Sequence, residues 1–189
     1  MPTEKETKKT ANIPTDKEVK NMKESPLHQF FLDGLKDMYY AEKALIKALK
    51  KMQESATTEE LKDAFEEHQF QTQTHHSRLE KIFRLLGEDP EEKTCKAMDG
   101  LIKEADEIIS STEEGSMTRD AALIIAAQKV EHYEIASYGG LAQLAVTMKH
   151  HKVADILEKT LQEEEDTDLL LTEIAETSIN MEAEEEEEK

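Results

Sequence analysis

The sequence predicts an all-α fold of four long helices and one short one. Three observations carry this. Glycine and proline are scarce, 6 and 4 of 189 residues, and aromatic residues make up 5%. Apolar residues recur at three- and four-residue steps, and no credible strand interrupts them. At this length, with 37% apolar residues, the chain suffices for one domain with a real core and is short for two.

Residues 1–24, MPTEKETKKTANIPTDKEVKNMKE, mix charges with two prolines and read as a disordered lead-in to the bundle. The first helix starts at Ser25 as cap, with Pro26 in its first turn, and runs to about Glu54. Thr57 with Glu60 three residues on resembles a capping box for a second helix that continues to Leu86. Gly87 and the pair Asp89-Pro90 stop it. A short helix occupies roughly Lys96 to Ser111. Thr118 caps a long helix reaching about Lys149, and after a break near His150-His151 the last helix runs through Val153 to about Met181. The bundle therefore spans 25–181, and 182–189 form an acidic tail in which Glu184 to Glu188 are unbroken. Short links after the first helix and before the last join antiparallel neighbours. The stretch from Gly87 to Met117 is long enough to travel the length of a bundle. Two hairpins joined by a crossover that carries an extra short helix is the ferritin-like four-helix connectivity.

Steps of four and three trace one core-facing line on each long helix. The first carries Phe31, Leu35, Met38, Glu42, Leu45, Leu49 and Met52. The second carries Leu61, Phe65, His68, Thr72, His75, Leu79, Ile82 and Leu86. The fourth gives Ile124, Ala127, Glu131, Glu134, Tyr138, Leu141, Ala145 and Met148, and the fifth Val153, Leu157, Thr160, Glu164, Thr167, Leu171 and Ile174. The polar interruptions fall near the middle of each helix, so Glu42, His68, His75, Glu131, Glu134 and Glu164 should meet in one layer. Burying an unpaired carboxylate costs several kcal/mol even after relaxation, so four together must take up protons or bind cations. Carboxylates with some imidazole suit Mn, Fe or Zn, and bridging carboxylates favour two ions about 3.5–4 Å apart. A small helix rotation would instead leave such a Glu half-exposed. His68 and His75 could ligate or support the ligands. Asp168, one turn past Glu164, is a ligand or an exposed neighbour. Tyr138 and Tyr39 are expected to pack in the core, with a hydrogen bond to a ligand as the alternative.

The segments AAQKVEHYEIASYG (126–139), CKAMDGLIKEADEII (95–109) and DMYYAEKALIKAL (37–49) resemble the YciF/YciE family of bacterial ferritin-like stress proteins, over about Leu27 to Ala175. The resemblance implies a cytoplasmic ferritin-like bundle, a homodimer, with metal positions similar to those of rubrerythrin-type proteins. Carried over by motif, it selects Glu42, Glu131, Glu134 and Glu164. The second helix departs from the pattern: the family commonly shows glutamate at the place of Gln71 and glutamine at the place of His75, so His75 would replace the carboxylate as ligand. The Glu-x-x-His pairs of typical di-iron bundles are absent from the sequence.

The resulting expectation is a redox-active protein holding two Fe or Mn ions, with Zn as a further occupant, acting on peroxide or dioxygen in stress defence. Its alternative is a metal-free helical interaction or structural protein whose polar layer sets register. A net charge of −19, from 43 acidic and 24 basic residues, would repel phosphate backbones and anionic lipid. No stretch approaches the roughly 20 apolar residues of a membrane helix, and the N-terminus lacks the apolar block of a secretion signal. The single cysteine, Cys95, has no nearby histidine, reads as a buried or inert thiol, and fits a reducing compartment such as the cytoplasm. There is no phosphate-binding glycine loop to suggest a nucleotide enzyme.

Overall fold

In the computed structural model, residues 25–186 are described; the expected lead-in over 1–24 and the last three residues of the acidic tail lie outside them. Helix α1 spans Pro26–Ser55, α2 Glu59–Leu86, α3 Lys96–Ser111, α4 Met117–Thr147 and α5 His151–Ile174. A π-helical turn, Ala175–Ile179, links α5 to a short α6, Asn180–Glu184. No strand occurs among the described residues. Among the described residues no helix is long and apolar enough to cross a membrane.

Start and stop signals explain most boundaries. Ser25 Oγ accepts from the His28 amide at 3.1 Å, with Pro26 following where a missing N–H costs nothing. Gly87 ends α2 in the left-handed region, φ 71°. Two caps differ from the expectation. Thr58, not Thr57, caps α2, its Oγ1 accepting from the Leu61 amide, because the buried Asp120 carboxylate claims this turn. Asp120 accepts from the Thr57 and Thr58 amides at 2.6 and 2.8 Å and from the Thr58 hydroxyl at 2.8 Å. Ser116, not Thr118, caps α4. The amide and hydroxyl of Thr118 go instead to Glu186, an acidic group placed at the positive end of the helix.

The same contacts set the topology. The α1–α2 turn touches the start of α4, so α1 and α4 run antiparallel. α1 packs on α2, and α4 on α5, while α1–α4 and α2–α5 contacts close the four-sided bundle. The crossover lies along the α1/α4 face. Its course is pinned by Lys93–Asp33 near the start of α1, Tyr40–Asp99 in the middle and Lys51–Asp106 near the end. Arg119 then anchors the far end to the Ile109 and Thr112 carbonyls. This is the ferritin-like arrangement of two hairpins and a full-length crossover.

Every residue on the four core-facing lines is buried. Phenylalanine, leucine and isoleucine fill the layers on either side of the polar waist, so apolar packing walls it above and below.

Candidate metal centre

Because α1, α2, α4 and α5 run antiparallel to their neighbours, their midpoints share one height, and each helix delivers its polar interruption there. Glu42, His68, His75, Glu131, Glu134 and Glu164 are all at most 3% exposed. Their donor atoms form two groups, each within 4.8 Å: His68, Glu131, Glu134 and Glu164, and Glu42, His75 and Glu164. Glu164 belongs to both, which is the place of a bridging carboxylate. Glu131 and Glu134 join the first group because three residues separate them on one helix face. These buried groups could hold a metal ion. Asp168 stands outside both. Its carboxylate is 3.3 Å from Gln128 Nε2 and 3.4 Å from His132 Nε2, on the flank of α4.

Within the layer, His68 Nε2 lies 3.2 Å from Glu131 Oε1, and His75 Nδ1 lies 2.9 Å from Glu164 Oε1 and 3.9 Å from Glu42 Oε1. Tyr138 is packed in the core and also donates its hydroxyl to Glu42. Tyr39 is turned away and donates to Glu80 at 3.2 Å.

Burial dominates the proton equilibria of the acids. It pushes Glu42 up to about 8, opposed by His75 and helped by the Glu164 charge. It raises Glu131 despite the neighbouring His68. It raises Glu134 well above the carboxylate range, with the charges of Glu42, Glu164 and Glu131 adding to it. Burial works against charged His68, but Glu131 outweighs it and the imidazole rises to about 9. His75 likewise rises against its burial, through Glu164 and Glu42. With no cation, the layer is a store of protons. The pairing is also uneven: both carboxylate oxygens of Glu134 lack a hydrogen-bond partner among the described residues. A buried acceptor left this way is costly.

One support was not anticipated. His75 Nε2 is 2.9 Å from Glu163 Oε2, and Glu163 is gripped in turn by Arg78, whose Nη2 donates to Oε1 at 3.0 Å. Arg78 also reaches Thr160 Oγ1 at 3.2 Å. This carboxylate holds one ring nitrogen, so the other, Nδ1, faces Glu42 and Glu164. The guanidinium pulls Glu163 down to about 2, which keeps it an anion able to accept that bond. The available signal was Arg78, one turn after His75 on α2. Away from the layer, Cys95 is buried, with Sγ 3.0 Å from the Tyr133 hydroxyl and accepting from the Met98 amide at 3.3 Å. Burial raises its thiol, in keeping with an inert cysteine.

Comparison with known proteins gives a consistent picture. Residues 26–184 match the family described as "Domain of unknown function (DUF892)". Protein YciF of Escherichia coli (strain K12) is 45% identical over 168 residues, 87% of this chain and 98% of that protein. The crystal structure of the E. coli stress protein YciF superposes with a TM-score of 0.79 at 43% identity, covering 82% of this chain and 98% of that one. A putative structural protein from Rhodopseudomonas palustris, YcfI, gives 0.76 at 40% identity, over 78% and 94% of the two chains. A Xanthomonas campestris protein at 24% identity shares the fold, with a TM-score of 0.64 over 84% and 97%.

Proposed function

The chain belongs to the DUF892 family, with an E. coli stress protein as a relative, and from that premise we propose that it is a di-metal carboxylate protein of stress defence. Two Fe or Mn ions, with Zn as a competing occupant, would be held by Glu42, His68, His75, Glu131, Glu134 and Glu164. The protein would work on peroxide or dioxygen as a cytoplasmic homodimer. When bound, such a pair supplies Lewis acidity and redox capacity toward a small oxidant.

The observation that carries this reading is Glu134, fully buried among three other carboxylates, its oxygens without a hydrogen-bond partner among the described residues. A layer that only set helix register would need no fourth acid. Four ionised carboxylates, charge −4, balance two divalent cations, with neutral imidazoles completing the shell. The remaining roles belong to the chain itself. Glu164 stands between the two groups and would bridge. Glu163 and Arg78 hold His75 with Nδ1 inward. The apolar layers restrict water, and the Tyr138 hydroxyl donates to Glu42 and so favours its ionised, ligating form.

The test is metal content by mass spectrometry on untagged protein after anaerobic Fe(II) loading, beside a Glu131→Ala/Glu164→Ala double variant. About two ions per chain, lost in the variant while helicity persists, is the expected outcome. A second reading has its own observation: the His68–Glu131 and His75–Glu164 pairs could neutralise one another without metal. Absence of metal after loading would put that register layer in its place.

A further inference from the structure

The polar layer is sealed by apolar packing on most sides, but a cleft of about 110 Å³ descends to it between α2 and α5. Its rim carries the exposed acids Glu67 and Asp166, and its floor is formed by His68 and Glu131, which are 3% and 1% exposed. Oε2 of Glu131 and Nδ1 of His68 lack a hydrogen-bond partner among the described residues, while Glu131 Oε1 pairs with His68 Nε2 at 3.2 Å. Buried, unsatisfied ligand atoms thus form the end of a passage open to solvent.

In the cleft wall, Gln71 and Thr167 face each other across the two helices. The Thr167 hydroxyl lies 3.3 Å from Gln71 Oε1 and 3.0 Å from the Glu163 carbonyl of its own helix. The Gln71 amide oxygen and the Thr167 hydroxyl line the cleft as neutral oxygen ligands of the kind that hard divalent cations accept in place of water.

We propose that this cleft is the route by which divalent cations reach the buried centre, with Glu67 and Asp166 drawing them in and Gln71 with Thr167 offering neutral oxygen ligands along the way. The inference rests on the metal-centre reading. Acidic side chains at the mouth of a low-dielectric passage concentrate cations and raise their association rate, an effect that weakens with salt. Neutral oxygens hold such an ion more weakly than the carboxylate and imidazole ligands below, so it moves on to them.

Stopped-flow uptake of Co(II) by the full-length apo chain, followed by its visible ligand-field absorbance, tests this. Glu67→Gln/Asp166→Asn should slow uptake about fivefold or more and flatten its salt dependence, with the final absorbance unchanged. Glu113→Gln/Glu114→Gln, two exposed acids on the α3–α4 connection, makes the same change in net charge and should leave the rate near wild type. Ala64→Phe, which fills the cleft wall, should slow uptake without lowering the final absorbance. Equal rates in the cleft variants and the control, with full Co(II) binding, would overturn the route while leaving the metal centre standing. No Co(II) bound by the wild-type chain would overturn both.

Discussion

Glu163 determines which nitrogen of His75 is offered to the centre. Its Oε2 occupies Nε2 and its other oxygen is tied to Arg78, so ring orientation and tautomer are set together. Removing such a carboxylate typically costs 10–100-fold in metal affinity. Glu163→Ala should therefore weaken Co(II) or Fe(II) binding by about 10–100-fold in a competition titration, with far-UV circular dichroism unchanged. Unaltered affinity would make the Glu163–His75 contact merely structural. The six buried side chains of the layer were legible because a helical period alone places each on the core line. Asp168 shows where that logic is ambiguous. From Glu164, both the i+3 and i+4 positions lie on the same side of the helix, and it is Thr167 that turns inward, 8% exposed, while Asp168 pairs with α4. Glu163 was not legible as a support, since its role depends on Arg78 and His75 from another helix.

Helix lengths and order follow from local patterning, whereas caps depend on what the neighbours supply. Thr57 and Thr58 are equivalent candidates in sequence, and residues about sixty positions away separate them: the Thr57 hydroxyl goes to the Ser116 carbonyl, while the Thr58 hydroxyl, held by Asp120, accepts from the Leu61 amide. That carboxylate is fully buried and accepts three bonds. Asp120→Ala would strand two amides and a hydroxyl inside the α1–α2–α4 junction. A loss on the order of 2–3 kcal/mol in urea unfolding is expected, with Asp120→Asn losing less. A change within about 0.5 kcal/mol, typical of an uninvolved surface site, would show that water satisfies the turn. The α4–α5 hairpin makes the opposite case. Lys149 adopts φ 64° there, the left-handed region that β-carbons disfavour. The Lys149 and His150 amides close back on the Val146 and Ala145 carbonyls at 2.9 and 2.8 Å. Lys149→Gly should stabilise the protein by about 0.5–1 kcal/mol at its unfolding midpoint. The π-helical turn at Ala175–Ile179 left no mark in the periodicity. It inserts an extra residue per turn at a point where Ile179 still reaches the core.

At the scale of the whole molecule, the carboxylate layer couples folding, protons and metal. Glu42 titrates at about 8 in the folded chain against 4.5 for an ordinary glutamate. Between those values the native state holds a proton that the unfolded chain has released, so apo stability falls as pH rises. His68, lifted from 6.5 to about 9, acts in the same direction: its contribution is complete below its unfolded value and is lost as pH climbs through the folded one. The chelated protein should therefore melt at progressively lower temperature from about pH 5 to about pH 9. Cation binding displaces these same protons, so metal affinity should strengthen over that range and hold the loaded protein up. Differential scanning fluorimetry of chelated and Co(II)-loaded samples in matched buffers measures both curves. The expected outcome is a gap in melting temperature that widens with pH, driven from the apo side by deprotonation and from the loaded side by tighter binding. A gap that stays constant, or an apo curve that rises, would mean that the buried acids do not exchange protons for metal, and the charge balance argued from Glu42, Glu131, Glu134 and Glu164 would fail with it.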